Sequence, residues 1–333
     1  MPTLVLVHLG EQWPHYLKDC IKQARLINPS TNIVLLVNKC QEIHVLPLQV
    51  IYKITVNYVE DLPKTAEHAE FLERIVNQVD LQFRKKYWQY VFERFFVLHQ
   101  YCLLKPSQSV YMIETDNMVY VPLDIVQKTE SLFSQGMAAP FDNLEQGYPS
   151  FVFFRNSQAI FEFVSFMLTC LRRLYLSDMK IMALYRINHP DKIFTYPVLP
   201  DVCNRPLRER SSLIGHKASA EETAFLSKKE FPILFDAMAY GQALGGIDPR
   251  NTGGVQSVGY INESALYSIQ ETQFAWTCLH GLWFPLVNSI PLVNLHIHSK
   301  ALSEFLSDRQ SVPKPNYNPS VLEQSLDKDF SLA

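Results

Sequence analysis

Several features are missing from this 333-residue sequence, and each absence excludes a class of protein. The six cysteines lie far apart without a CxxC spacing, which excludes a disulfide framework or zinc cluster and predicts reduced, buried thiols. The formal net charge is only −3, so neither nucleic acid nor an acidic lipid is indicated as the main partner. The sequence also shows no internal repeat, which excludes a solenoid.

Long apolar runs free of charge are missing as well. The most apolar long stretch, residues 151–176, contains Arg155, Glu162, Arg172 and Arg173, so no window of about 20 residues suits a bilayer span. The first ten residues carry no basic segment, and they predict a strand better than a signal peptide. We therefore expect no transmembrane segment.

The apolar residues that are present are arranged as alternating strands and helices. Hydrophobic residues make up 47% of the chain and charged residues 19%, which is ordinary for a globular protein with a sizeable core. Apolar runs at 3–9 and 33–37 flank a helical pattern over 16–26, which Asn28-Pro29 ends. A strand, a helix and a strand within about 40 residues predict the start of a Rossmann-like sheet. A third strand is predicted over 50–56.

The rest of the chain continues this organisation. The spacing predicts long helices over 83–104 and 159–175, and further strands over 193–199 and 292–298. Residues 204–230 are polar and charged, and they predict a mobile loop, suited to a lid, inside a single domain of residues 1–300. Residues 301–333 are predicted to form a polar extension or tail without a core of its own.

A pair of carboxylates follows one of the apolar runs. Residues 110–113 are Val-Tyr-Met-Ile, and Glu114-Thr115-Asp116 comes directly after them. Because side chains alternate along a strand, Glu114 and Asp116 are predicted to share one side. Two neighbouring carboxylates can hold a divalent cation through hard oxygen ligands. A solvated turn is the alternative interpretation.

A second polar pattern lies near the end of the chain. His296, His298 and Lys300 alternate with Leu295 and Ile297, so a strand would put the three polar side chains on one face. Neutral imidazole is a good ligand for Mn²⁺-like ions, and a lysine two residues on can neutralise diphosphate charge. The spacing does not decide which histidine binds, although His298 is nearer the strand end. A solvated strand end is again the alternative.

Other candidates are single polar residues in apolar surroundings. Arg94 lies in the helix before the acidic pair, where a guanidinium can bind a phosphate or base edge or pair with a carboxylate. Asp178, after Ser177, suits a general base, but either residue also suits a helix N-cap. Asp236 and Asp248 lie in a distinctive string from Phe235 to Asn251 and are further candidates for a base.

Together these motifs resemble the GT-A glycosyltransferases. The strand ending in Glu114-Thr115-Asp116 is similar to their DxD element, although Glu stands in its first position, and His296-Ile297-His298-Ser299-Lys300 is similar to their late His and Lys. The string from Phe235 to Asn251 resembles poorly characterised glycosyltransferase-like proteins of bacteria and large viruses. The resemblance covers about residues 1–300.

The resemblance implies an α/β GT-A fold, with a Rossmann-like mixed central sheet flanked by helices and a polar C-terminal tail. It implies a cofactor, Mn²⁺ or Mg²⁺, with Asp116, His298 and His296 as metal ligands. The implied donor-binding residues are His8, Gly10, Arg94, Glu114, Asp116 and Lys300. The candidates for the catalytic base are Asp178, Asp236 and Asp248.

The expected reaction moves a sugar from a nucleoside-diphosphate sugar, by analogy a UDP-sugar, to a glycan or other hydroxyl acceptor. The protein is expected to be soluble and cytoplasmic, and its expected source is a microbe or a virus. One alternative is a metal-dependent hydrolase, but its HxH pair lies close to the C-terminus and the other histidines are scattered. Another is a catalytically degenerate GT-A binding module, which Glu114 in place of Asp keeps open.

Overall fold

The computed structural model describes residues 2–75, 83, 86–173, 176–200, 226–227, 231–248, 250, 265 and 272–313. Most of the loop predicted over 204–230, and the chain beyond residue 313, therefore lie outside the described residues. Within the described residues, no helix is both long enough and apolar enough to cross a membrane.

The strands are mostly short and buried. They are β1 (Thr3–His8), β2 (Asn32–Val37), β3 (Thr55–Tyr58), β4 (Val110–Ile113), β5 (Asn117–Val119), β6 (Met137–Asn143), β7 (Gln146–Gly147), β8 (Phe151–Phe154), β9 (Ile193–Tyr196), β10 (Phe274–Leu279), β11 (Leu282–Val287), β12 (Ile290–Pro291) and β13 (Asn294–His296). In β1, β2 and β4 the apolar run is continuous rather than alternating, because parallel strands are covered on both faces.

The helices pack on the faces of the central sheet. They are α1 (Leu17–Ile27), α2 (Glu42–Tyr52), α3 (Ala66–Ile75), α4 (Tyr87–Cys102), α5 (Leu123–Lys128), α6 (Ser157–Leu171), α7 (Asp178–Asn188) and α8 (Ala239–Gly245). Two large clusters of buried apolar side chains contain alternate residues of β1 and β2, so the sheet has a core on each face.

The central sheet has the strand order β3-β2-β1-β4-β8-β6-β7, with β9 beside β6. Strands β3, β2, β1 and β4 are parallel, whereas β8 is antiparallel to both β4 and β6. This arrangement confirms the predicted α/β fold with a mixed central sheet flanked by helices. The described residues form two smaller sheets as well, β10-β11-β12 and β13-β5.

The strand predicted over 50–56 is wrong in its first half. Residues 42–52 form α2, and β3 begins only at Thr55. The helix ends at Tyr52, and the next residue, Lys53, has a left-handed φ of 51° that turns the chain into the strand. The apolar residues Val50 and Ile51 suggested a buried strand, but both lie exposed on the outer side of α2.

Packing continues past Ala301, where the polar extension was predicted to begin. Residues 302–305 form a 3₁₀ turn in which Leu302 and Phe305 are buried. The hydroxyl of Tyr120 donates a hydrogen bond of 2.8 Å to the carbonyl of Phe305. The segment 302–306 therefore belongs to the core beside β5 and α1.

Candidate metal and donor site

The acidic pair and a histidine meet where two small strands pair. Glu114 and Asp116 lie in the turn between β4 and β5, and β5 pairs antiparallel with β13 so that Asn117 is opposite His296. This register puts His296 Nε2 3.2 Å from an oxygen of Asp116 and 3.4 Å from an oxygen of Glu114. Residues 180 positions apart along the chain thus form one cluster.

The donor set of this cluster suits a hard divalent cation. One ligand atom each from Glu114, Asp116 and His296 lies within 4.8 Å of the others. Two carboxylate oxygens and an imidazole nitrogen are ligands that Mn²⁺ accepts readily, and Mg²⁺ shares the preference for oxygen. Within the described residues His296 Nδ1 has no hydrogen-bond partner, which leaves that nitrogen to carry the proton when Nε2 binds a cation.

Two positively charged side chains flank the acidic pair. The ammonium group of Lys300 pairs with Asp116, and the guanidinium group of Arg94 pairs with Glu114. Arg94 also lies 2.7 Å from an oxygen of Asp178, so it joins the acidic pair to the start of α7. The protein's own positive groups therefore compensate most of the buried negative charge.

The charges of the cluster shift one another's ionisation. Burial alone would raise the pKa of Asp116, but Lys300 and His296 outweigh burial and hold that pKa well below its usual range. Burial would likewise lower the pKa of His296, yet Asp116 and Glu114 raise it to about 9. His296 is therefore protonated at neutral pH, and a cation held by Nε2 would have to displace that proton.

His298 is not one of the three residues whose ligand atoms cluster together. Strand β13 ends at His296, so the alternation predicted from the sequence does not extend to His298 and Lys300. The backbone N–H of Asp248 donates to His298 Nδ1 at 3.0 Å, and burial lowers the pKa of His298 to about 4. A neutral ring that accepts at Nδ1 carries its proton on Nε2, so His298 is a hydrogen-bond donor in this arrangement.

Asp178 lies beside the acidic pair at the N-terminus of α7. The helix is capped by Ser177, whose Oγ accepts from the N–H of Lys180 at 3.3 Å, so the cap does not require Asp178. Burial raises the pKa of Asp178, and Arg94 offsets part of that rise. A buried carboxylate with a raised pKa is a stronger base than an exposed one.

Asp236 lies behind His296. Its two oxygens accept three backbone N–H bonds, from Tyr240 at 3.0 Å, Gly241 at 2.9 Å and His296 at 3.0 Å. A Cβ on Gly241 would lie 2.0 Å from the carbonyl oxygen of His296, so only glycine lets α8 pack this closely. Asp236 thereby fixes β13 and the position of His296, and burial raises its pKa to about 6.

Asp248 makes a tight ion pair with its neighbour Arg250. Nη2 of Arg250 lies 2.6 Å from Asp248 Oδ2, and its Nε contacts both carboxylate oxygens. Burial would raise the pKa of Asp248, but these bonds outweigh burial and lower it to about 2. A carboxylate held this way is a weak base at neutral pH.

A cavity of about 310 Å³ lies at the carboxyl ends of β1, β2 and β3. Gly10 lines it, with a φ of +100° and no room for a Cβ, which would lie 2.7 Å from the ring of Tyr90. The N–H of Gly10 donates to the side chain of Asn38 at 2.8 Å. The cavity is also lined by Asn38, Glu60 and Tyr90, which were not predicted from the sequence. A polar residue directly after a buried strand, as Asn38 is, was a usable signal.

His8 is the last residue of β1, and the residue after it, Leu9, lines this cavity. Its Nε2 is 2.8 Å from the carbonyl of Gln12, and its ring meets the indole of Trp13 edge-on at 5.7 Å. Burial lowers the pKa of His8 from 6.5 to about 4, although the hydrogen bond to the carbonyl of Gln12 acts to raise it. The folded protein therefore holds His8 neutral over a pH range in which an unfolded chain protonates it.

We expect this difference to make the fold acid-sensitive. Between about pH 6.5 and 4 the unfolded state binds a proton on His8 that the folded state does not bind. The free energy of unfolding is therefore unaffected by His8 above pH 6.5 and decreases as the pH falls towards 4. The loss should approach about 3 kcal/mol. His8→Gln should flatten this part of the pH curve of the unfolding free energy, measured with urea. Parallel curves for variant and wild type would contradict the assignment.

No protein-family model matches the chain, and no curated protein matches it. Solved structures that resemble it include the galactosyltransferase LgtC in complex with donor and acceptor sugar analogues, at 12% identity and a TM-score of 0.42 over 60% of this chain and 76% of that one. Mouse xyloside xylosyltransferase 1 follows at 9% identity and 0.40, over 59% and 86%. The PaToxG glycosyltransferase shows 10% identity and 0.38, over 57% and 70%. By themselves these values assign neither a family nor an activity to this chain.

Proposed function

We propose that the protein is a GT-A glycosyltransferase that moves a sugar from a nucleoside-diphosphate sugar, with UDP as the expected nucleotide, to a hydroxyl group of a glycan or another acceptor. The observation that carries this proposal is the convergence of Glu114, Asp116 and His296 within 4.8 Å at the carboxyl end of β4. Ligands of open α/β sheets bind at that edge, and the cavity beside Gly10 lies at the same edge.

Glu114, Asp116 and His296 are the residues that would hold Mn²⁺ or Mg²⁺ in this proposal. A bound divalent cation neutralises negative charge on the diphosphate leaving group. Lys300, already beside Asp116, supplies a second positive charge that would contact phosphate oxygens. The nucleoside would occupy the cavity beside Gly10, with His8 next to it.

Asp178 is the proposed base for the acceptor hydroxyl. It is linked through Arg94 to Glu114, whereas Asp236 is occupied by three backbone N–H groups and Asp248 by Arg250. Arg94 is proposed to position Asp178 relative to the acidic pair. Asp178→Asn would then leave donor binding intact while reducing transfer.

The decisive experiment is release of nucleotide from a panel of UDP-sugars and GDP-sugars, with and without Mn²⁺. Release that needs Mn²⁺ and one particular donor supports the transferase. No release and no thermal shift with any donor would overturn it in favour of the hydrolase. Donor binding without turnover would favour the degenerate binding module.

The two histidines give a matched pair of variants for the metal site. We expect His296→Ala to weaken Mn²⁺ binding by about 100-fold, because it removes a ligand, and His298→Ala to weaken it by less than about 10-fold. Titration of free Mn²⁺ by electron paramagnetic resonance measures both. The reverse order would reassign the ligand to His298.

A further inference from the structure

Helix α2 carries an apolar face that no described residue covers. Ile43 is 76% exposed, Leu46 50%, Val50 79% and Ile51 62%. At 3.6 residues per turn these four side chains, with Pro47 between them, fall on one side of the helix. The opposite side carries Val45 and Leu48, which are buried against the core. The helix is therefore apolar on both faces.

An apolar outer face indicates an occupant, because a helix that is hydrophobic all round is normally buried. The charges on this segment identify the kind of occupant. From residue 42 to residue 53 the charged residues are Glu42 at the start and Lys53 just after the end. The hydroxyl of Tyr58 donates to Glu42 at 3.2 Å and holds that carboxylate at its end of the helix. Ten uncharged residues separate the two opposite charges.

The charges at the two ends of α2 are complementary to those of a second copy of the helix. When a second copy of α2 lies antiparallel across a twofold axis near Pro47, Glu42 of each copy faces Lys53 of the other. The apolar side chains at spacings of three and four then pack across the axis, and the two helix dipoles oppose each other favourably. A parallel arrangement would instead put like charges together.

We infer that the outer face of α2 is the contact of a symmetric dimer of this chain, with the two α2 helices antiparallel. Standard stable interfaces use about 20–30 residues a side, and α2 offers fewer. The dimer is therefore weak and depends on concentration. This inference does not rest on the proposed function.

Sedimentation velocity of the full chain over a concentration series tests the contact. The expected result is a monomer–dimer equilibrium whose Kd rises at least about tenfold in Val50→Asp, because a carboxylate enters the apolar contact. Ile187→Asp is the matched control, since Ile187 is an apolar residue of α7 that is 58% exposed, and it should leave Kd unchanged. Both side chains are exposed, so neither change is expected to unfold the protein.

The charged ends test the orientation. Glu42→Lys and Lys53→Glu should each weaken their own dimer, and mixing the two variants should restore association to near the wild-type value, because each then faces an opposite charge. Failure of the mixture to associate overturns the antiparallel contact. A wild-type chain that stays monomeric at about 1 mM overturns the dimer. The dimer is also overturned if the wild-type chain stays monomeric and binds phosphatidylcholine vesicles, and if Val50→Asp abolishes that binding. Lipid would then be the occupant.

Discussion

Replacing Arg94 with methionine should lower the free energy of unfolding by about 3–5 kcal/mol. The side chain of Arg94 is 13% exposed, and it pairs with both Glu114 and Asp178. Methionine fills a similar length but leaves two largely buried carboxylates without their cation. Burial already raises the pKa of Asp178, and loss of Arg94 removes what offsets that rise. Equilibrium unfolding in urea at neutral pH measures the change.

The matched control is Arg172→Met. Arg172 pairs with Glu70 at 2.6 Å, but the two side chains are 47% and 27% exposed, so the loss should stay below about 1 kcal/mol. The triple variant Arg94→Met, Glu114→Gln, Asp178→Asn should recover much of the lost stability, because no uncompensated charge stays buried. Equal losses in the Arg94 and Arg172 variants would show that the buried charges are not what Arg94 stabilises.

Replacing Asp116 with asparagine should abolish metal binding, with an affinity for Mn²⁺ at least about 100-fold lower. Asp116 contacts both His296 and Lys300, and its pKa lies well below the usual range, so it is ionised at any pH near neutral. Asparagine keeps the size of the side chain and removes the negative charge. Isothermal titration with Mn²⁺, first alone and then with UDP, measures the loss.

Asp124→Asn is the control for this variant, because Asp124 is an exposed carboxylate on α5. It should leave Mn²⁺ affinity as in wild type. Unchanged Mn²⁺ and UDP affinity in Asp116→Asn would refute Asp116 as a metal ligand and would leave its pairing with Lys300 as its role.

The strands with continuous apolar runs were predictable, and the exposed helix was not. Residues 3–9 and 33–37 were predicted as strands and form β1 and β2, since a run of Val, Leu and Ile suits a strand covered on both faces. Val50 and Ile51 are residues of the same apolar types as those in β1 and β2, but they belong to α2. A local pattern does not distinguish an apolar residue buried in the sheet from one on an outer surface.

The sequence offered Glu114, Asp116 and His296 as candidates, and the structure brings them together, but their pairings with other residues were not predictable. Glu114, Asp116 and the two histidines stood out because polar residues follow apolar runs at alternating positions. That Asp236 supports His296, and that Arg94 bridges Glu114 and Asp178, depends on contacts between residues 20 to 84 positions apart. Sequence spacing carries no information on such distances.

The sequence by itself determined the α/β class, the succession of strand, helix and strand at its start and the acidic pair after β4, because hydrophobic periodicity is a pattern among neighbouring residues. Only the tertiary structure put His296, and not His298, within 4.8 Å of the two carboxylates. The register of β13 on β5 puts His296 opposite Asn117, next to the carboxylates, and the strand ends before His298. That register depends on contacts between residues far apart in the sequence, namely the packing of α8 on His296 and the hydrogen bonds of Asp236.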